Sequence, residues 1–280
     1  MADLKHVLVT GGNTGIGFAL CKQLLVEHGC YVFLGSRNAE KGAAAVKEIL
    51  TNCPDAAGRL ELVQIDSTDE ASITTAATAV KAKLGDAPLY AIVNNAGTGL
   101  SHGVTGAMVI DTNFHGPKRV CDAFIPLLST TEGRIVNVGS GAGPMYMAQA
   151  SAEDKAFLKN PDITWPELEG YVRQTCTPEF LEKAAVAGSY GLSKAALHAY
   201  TMILAKDFPN LLSSSLSPGF IDTAITRGFG ASKSPEEGTV SLRHCLFAPL
   251  EGNGWHYGSD GLRSPLDVLR NPGEPAHKGD

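Results

Sequence analysis

Val7-Leu8-Val9-Thr10-Gly11-Gly12-Asn13-Thr14-Gly15-Ile16-Gly17 is the stretch on which the reading of this chain turns. A short run of apolar and β-branched residues, His6–Val9, has the composition of a buried strand. It runs into glycines, and these into a segment, Ile16–His28, with the apolar spacing of a helix. Glycines are needed where a chain turns tightly off a strand, where its backbone must approach a bulky anion, and where the following helix packs close to the sheet. The N-terminus of that helix offers free N–H groups and a favourable dipole, so Gly11, Asn13, Thr14, Gly15, Ile16 and Gly17 are candidates to cradle the pyrophosphate of a dinucleotide.

Outward from this stretch the alternation repeats. Strands are predicted at Tyr31–Leu34, Leu60–Ile65, Leu89–Val93, Arg134–Val138 and Leu211–Leu216, with a weaker one at Trp255–Gly258. Helices are predicted at Ala39–Thr51, Glu70–Leu84, Met108–Leu128, Tyr190–Phe208 and Pro235–Phe247. Strands alternating with helices imply an α/β fold, a doubly wound parallel sheet in one domain spanning residues 1–270. Two regions break the rhythm. Residues 141–189 form an insertion with helical character at Ala152–Lys159, Trp165–Arg173 and Pro178–Ala185, and residues 271–280 read as a flexible tail of polar and Pro/Gly composition.

The second strand tests the cofactor reading. A free ribose 2′-hydroxyl is usually met by an acid near its end, yet this strand ends Leu34-Gly35-Ser36-Arg37. Arg37 suits a 2′-phosphate, which implies NADPH/NADP⁺ rather than NAD. Asp66 closes the third strand, where its carboxylate would meet the adenine amino group. Asn94, Ala96 and Gly97 close the fourth, again at the carboxyl edge where open α/β sheets bind ligands.

Composition excludes other classes. The chain has 280 residues, 44% of them hydrophobic, enough for a core without disulfides or metal. Its charge of -6 comes from interleaved acids and bases, which argues against nucleic acid. Six cysteines without metal or CxxC spacing read as reduced thiols, and no apolar run reaches membrane length or forms a signal peptide, so a soluble cytoplasmic protein is expected. His102, His115 and His198 lack the companions that a hydrolase triad or a metal site would need.

The chemistry-bearing residues lie later. Tyr190 and Lys194 stand at i and i+4 on one helix face, where the cation makes the phenol's proton exchangeable near neutral pH. Ser140 follows the fifth strand, so its hydroxyl falls at the ligand edge and can donate to a carbonyl oxygen as charge develops. Together with TGGNTGIG at 10–17, NNAG at 94–97, Asn113, YGLSK at 190–194 and PGFIDT at 218–223, these residues resemble the short-chain dehydrogenase/reductase family over the first 260 or so residues.

That resemblance implies further roles. Asn113 would hold a water that links Lys194 to solvent, and Lys194 would also bond the nicotinamide ribose. Pro218, Gly219, Ile221 and Thr223 would hold the nicotinamide end. The insertion before Tyr190 is similar to that of monomeric, NADPH-dependent carbonyl reductases, implying a monomer that reduces a small ketone, aldehyde or quinone. On composition, Met145, Tyr146, Met147, Phe157 and Trp165 of the insertion either face the cleft, where they suit an apolar carbonyl compound, or simply pack the insertion onto the sheet. An alcohol dehydrogenase using NADP⁺, or a non-catalytic NADP(H)-binding regulatory protein, are the alternative readings.

Overall fold

Most of the strands are rich in Val, Leu and Ile on both faces and must be covered on both sides. In a computed structural model, which describes residues 4–99, 103–182 and 188–279, the strands are β1 (His6–Val9), β2 (Tyr31–Ser36), β3 (Leu60–Gln64), β4 (Leu89–Asn94), β5 (Arg134–Val138), β6 (Leu212–Leu216) and β7 (Trp255–Tyr257). All pairs are parallel and the order is β3-β2-β1-β4-β5-β6-β7. The order reverses between β1 and β4, and the crevice at their carboxyl ends is where such a sheet binds ligands.

Helices cover both faces. On one side α1 (Gly15–Val26) and α2 (Ala39–Asn52) bury Leu20, Leu24 and Ile49 against Val7, Val32 and Val93. On the other, α3 (Glu70–Leu84) buries Ile73 and Val80 with Leu8 and Phe33. Each such fully buried side chain contributes about 1.5–3 kcal/mol. Asn38 and Asp69 cap α2 and α3 through their side chains, which fixes where β2 and the chain after β3 hand over to helix.

The helix expected at Met108–Leu128 is divided. It consists of α4 (Gly106–Ile110), a π turn over Asp111–His115, α5 (Gly116–Phe124) and a 3-10 turn at Ile125–Leu127. In the insertion, α6 (Ala142–Gln149) joins the expected α7 (Ala152–Leu158), α8 (Trp165–Thr175) and α9 (Pro178–Leu181); residues 183–185 of the last expectation lie outside the described residues. The insertion packs on α10 (Ser189–Asp207): Leu158, Ile163, Leu168 and Val172 share a core with Leu192, Ala196 and Leu197. Trp165 anchors it, stacked 5.0 Å from Phe114 and edge-on 5.3 Å from Tyr200. The final helix, α11 (Val240–Phe247), lies with α1 and α2.

Composition suggested a loose end after residue 270. The stretch makes hydrogen bonds to the residues before it: the His277 amide donates to the Arg263 carbonyl at 2.9 Å, and Arg270 Nη1 to the Glu274 carbonyl at 2.7 Å.

Candidate active site

A cavity of about 1700 Å³ opens along the carboxyl edge of the sheet. At its centre the turn after β1 depends on glycine. Gly11 and Gly15 have φ of 65° and 56°, a region costly for other residues. A Cβ on Gly17 would lie 2.4 Å from the Gly11 carbonyl oxygen, so glycine is what lets α1 begin so close to the turn. Thr14 precedes α1 with extended backbone and no side-chain cap, which leaves the helix N-terminus facing the cavity without an internal acceptor from that residue. Thr10 Oγ1 accepts from the Asn95 and Ala96 amides, both at 3.0 Å, and Asn95 Nδ2 donates to the Thr10 carbonyl at 2.9 Å. These bonds lock the ends of β1 and β4 together across the switch point.

At one end of the cavity lie Ser36, Arg37, Asn38 and Lys41. Among the described residues the exposed Arg37 guanidinium has no hydrogen-bond or ion-pair partner. Lys41, one turn into α2, adds a second cation that the sequence reading did not single out, although its closeness to Arg37 was visible in sequence. Asp66 is on the wall, with Oδ1 accepting from the Thr68 amide and hydroxyl at 3.0 and 2.8 Å.

Asn94 does not line the cavity. β4 extends through it, and it is buried within the sheet, its Nδ2 donating to Asn137 Oδ1 at 2.9 Å and contacting Cys121 Sγ at 3.3 Å. Its neighbour Asn95 lines the cavity instead, with Ala96 and Gly97.

Ser140, Tyr190 and Lys194 meet on the cavity wall. Burial pushes the Tyr190 phenol above its ordinary range, and a hydrogen bond with Ser140 draws it partly back. Burial lowers the Lys194 ammonium to about 8. Its Nζ donates to the Val138 carbonyl at 2.9 Å and stands 5.9 Å from the Tyr190 ring centroid, so the cation acts on the phenol through its field and not by contact. The Tyr190 ring lies on Gly99: a Cβ there would come within 2.4 Å of Cδ2. Ser140 Oγ accepts from the Ala142 amide at 3.2 Å at the start of α6.

Asn113 sits behind this group in the π turn and is not on the cavity wall. Its Oδ1 accepts from the Thr98 amide at 2.9 Å, and its Nδ2 donates to the Thr98 carbonyl at 2.8 Å and to Ser193 Oγ at 3.2 Å. The side chain therefore pins the strand-end loop that carries Gly97 and Gly99 to α10.

At the far end Pro218, Gly219, Ile221 and Thr223 line the cavity, and Thr223 reaches over Gly15, within 3.3 Å of where a Cβ would stand. Of the apolar residues expected from the insertion, Met145 alone lies on the wall. Tyr146, Met147, Phe157 and Trp165 pack into the core beneath, because they serve the contact of the insertion with α10. His115 packs by Trp165, His198 is buried against Gly139 and Gly143, and His102 lies outside the described residues. No cluster of three or more His, Cys, Asp or Glu side chains fit to hold a metal occurs among the described residues.

The sequence matches the family model for short chain dehydrogenases over residues 5–152. It is similar to (+)-neomenthol dehydrogenase of Arabidopsis thaliana, 32% identical over 269 residues that cover 85% of this chain and 89% of that protein. Carbonyl reductase [NADPH] 1 of Sus scrofa is 28% identical over 271 residues, 91% of each chain. Among solved structures, salutaridine reductase from Papaver somniferum superposes with a TM-score of 0.77 at 26% identity, covering 90% of this chain and 99% of that one. The fold, the order of the motifs along it and these likenesses agree: the chain belongs to the short-chain dehydrogenase family.

Proposed function

We propose that this oxidoreductase is a carbonyl reductase that uses NADPH to convert a ketone, aldehyde or quinone to the alcohol. The observation that carries the reading is the meeting of Ser140, Tyr190 and buried Lys194 on the wall of the cavity that also holds the glycine turn. Members of the family take a nicotinamide cofactor, and the cradle here fits one: two left-handed glycines, a helix N-terminus facing the cavity, and room for an extended ligand. Arg37 and Lys41, with no acid at the end of β2, favour a 2′-phosphate over a bare hydroxyl.

When bound, the reduced nicotinamide supplies the hydride to the carbonyl carbon. Ser140 donates a hydrogen bond to the oxygen on which charge accumulates, and Tyr190 delivers the proton to it. The Lys194 charge, 5.9 Å from the Tyr190 ring centroid, favours the phenol's anion. In this reading that charge works against the upward push of burial. Asn113 shapes the loop beside Lys194 and, in this reading, orders the water through which the proton is replaced.

The insertion covers α10, and we infer a monomer on that ground. All six cysteines are free thiols, and among the described residues no helix is long and apolar enough to cross a membrane; both support a cytoplasmic location.

The test is the oxidation of NADPH and NADH at 340 nm with a panel of ketones, aldehydes and quinones, for the native protein and Tyr190→Phe. NADPH turnover that drops by about 10²–10⁴ in the variant is the expected result. NADPH binding without turnover on any of them would overturn the reading in favour of a regulatory protein.

A further inference from the structure

The stretch Ser264–Pro272 contains two apolar side chains that water ought to disfavour, Val268, 59% exposed, and Leu269, 43% exposed. Both line the cavity. Leu269 Cδ1 lies 2.9 Å from where a Cβ on Gly141 would stand, so the leucine rests on the backbone directly after Ser140.

The stretch is fastened on both sides of these residues. Lys159, just past α7 in the insertion, donates from Nζ to Asp267 Oδ2 at 2.7 Å. Arg270, whose side chain is buried, pairs with Asp260 and donates from Nε to Ser264 Oγ at 2.9 Å. Facing this stretch around the same cavity are Met145, Phe220 and Phe229, also between 40% and 55% exposed. Scattered apolar residues on a surface need no explanation, but five large exposed ones lining the cavity that also holds Ser140 and Tyr190 are of the kind that marks a ligand surface.

We propose that Val268 and Leu269 are specificity-determining residues: they form a wall that receives the apolar ring system of a carbonyl substrate larger than one ring. Lys159 and Asp267 are positioning residues that hold this wall against the Ser140 loop. The inference rests on the carbonyl reductase reading.

The test compares kcat/KM for cyclohexanone and for the bicyclic 2-decalone, with 2-decalone binding to the NADPH-loaded protein followed by quenching of the cofactor's fluorescence. The native protein is expected to favour decalone. Leu269→Asp and Val268→Asp should each lower the decalone-to-cyclohexanone ratio about tenfold, with Leu269→Ala moving it the same way by less. Lys159→Met should raise KM for decalone about threefold with little change in kcat, and Lys159→Arg should restore it. Variants with native melting temperatures and NADPH affinity but an unchanged ratio would overturn the wall. If the native protein reduces neither ketone, the reading of the reaction fails, and binding then decides the wall: decalone affinity lost in Leu269→Asp supports it, equal affinity refutes it.

Discussion

The two halves of the cavity are built in different ways. Around the proposed dinucleotide path the chain presents backbone: glycines with positive φ, a helix N-terminus, and strand ends tied by Thr10 and Asn95. Around the proposed substrate it presents side chains from three stretches remote in sequence, Met145 on α6, Phe220 and Phe229 after β6, and Val268 and Leu269 near the far end of the chain. Backbone geometry tolerates little change, because a Cβ on Gly17 would overlap the Gly11 carbonyl. Side chains on loops can be exchanged without touching the sheet. One half therefore suits a ligand of fixed shape and the other a ligand that differs between relatives.

The boundary between the halves is the proposed catalytic group, and substituting it should produce the largest effect. Ser140→Ala removes the donor to the developing oxyanion, so kcat should fall by about 10²–10³ while KM for NADPH stays within experimental error. A parallel loss of NADPH affinity would show that the two halves are not separable at this residue. Arg37→Ala should act in the opposite pattern, raising KM for NADPH by about 10–100-fold with kcat and NADH use little changed, since charge-assisted hydrogen bonds contribute about 1.5–3 kcal/mol. Arg37 is exposed, so the effect should shrink as salt is added. Equal use of both cofactors by the native protein would remove the role proposed for Arg37.

The same contrast governs what could be read from the sequence. The glycine turn, Tyr190, Lys194 and Ser140 are legible because strand, turn and helix sit next to one another along the chain. The helix Ala142–Gln149 was not, since Gly143 and Pro144 argue against a helix that contact with α10 nevertheless supports. The π turn at Asp111–His115 breaks a run whose apolar spacing reads as one helix, and periodicity does not report i to i+5 hydrogen bonding. Asn94 and Asn95 differ by one residue, and successive strand residues point to opposite faces; the exact end of β4 decided which one reaches the cavity. Leu269 was illegible for a plainer reason: its partner, Gly141, is more than a hundred residues away in a stretch without periodicity.

A further effect concerns pH, and it separates the halves without a mutation. Burial holds Lys194 near 8, against 10.5 for an ordinary lysine. As pH rises through 8 the charge that favours the Tyr190 anion disappears, together with the proton that would replace the one transferred, so the rate of reduction should fall by at most about tenfold per unit. NADPH binding, proposed to rest on backbone and Arg37, should stay level over the same range. Stability moves the other way at this residue. Between about 8 and 10.5 the unfolded chain holds the lysine proton and the folded chain does not, so the Lys194 contribution to stability rises with pH. A fall in activity above pH 8 accompanied by constant NADPH affinity and no loss of melting temperature would place the titrating group in the catalytic half; affinity and rate falling together would erase the distinction between the two regions.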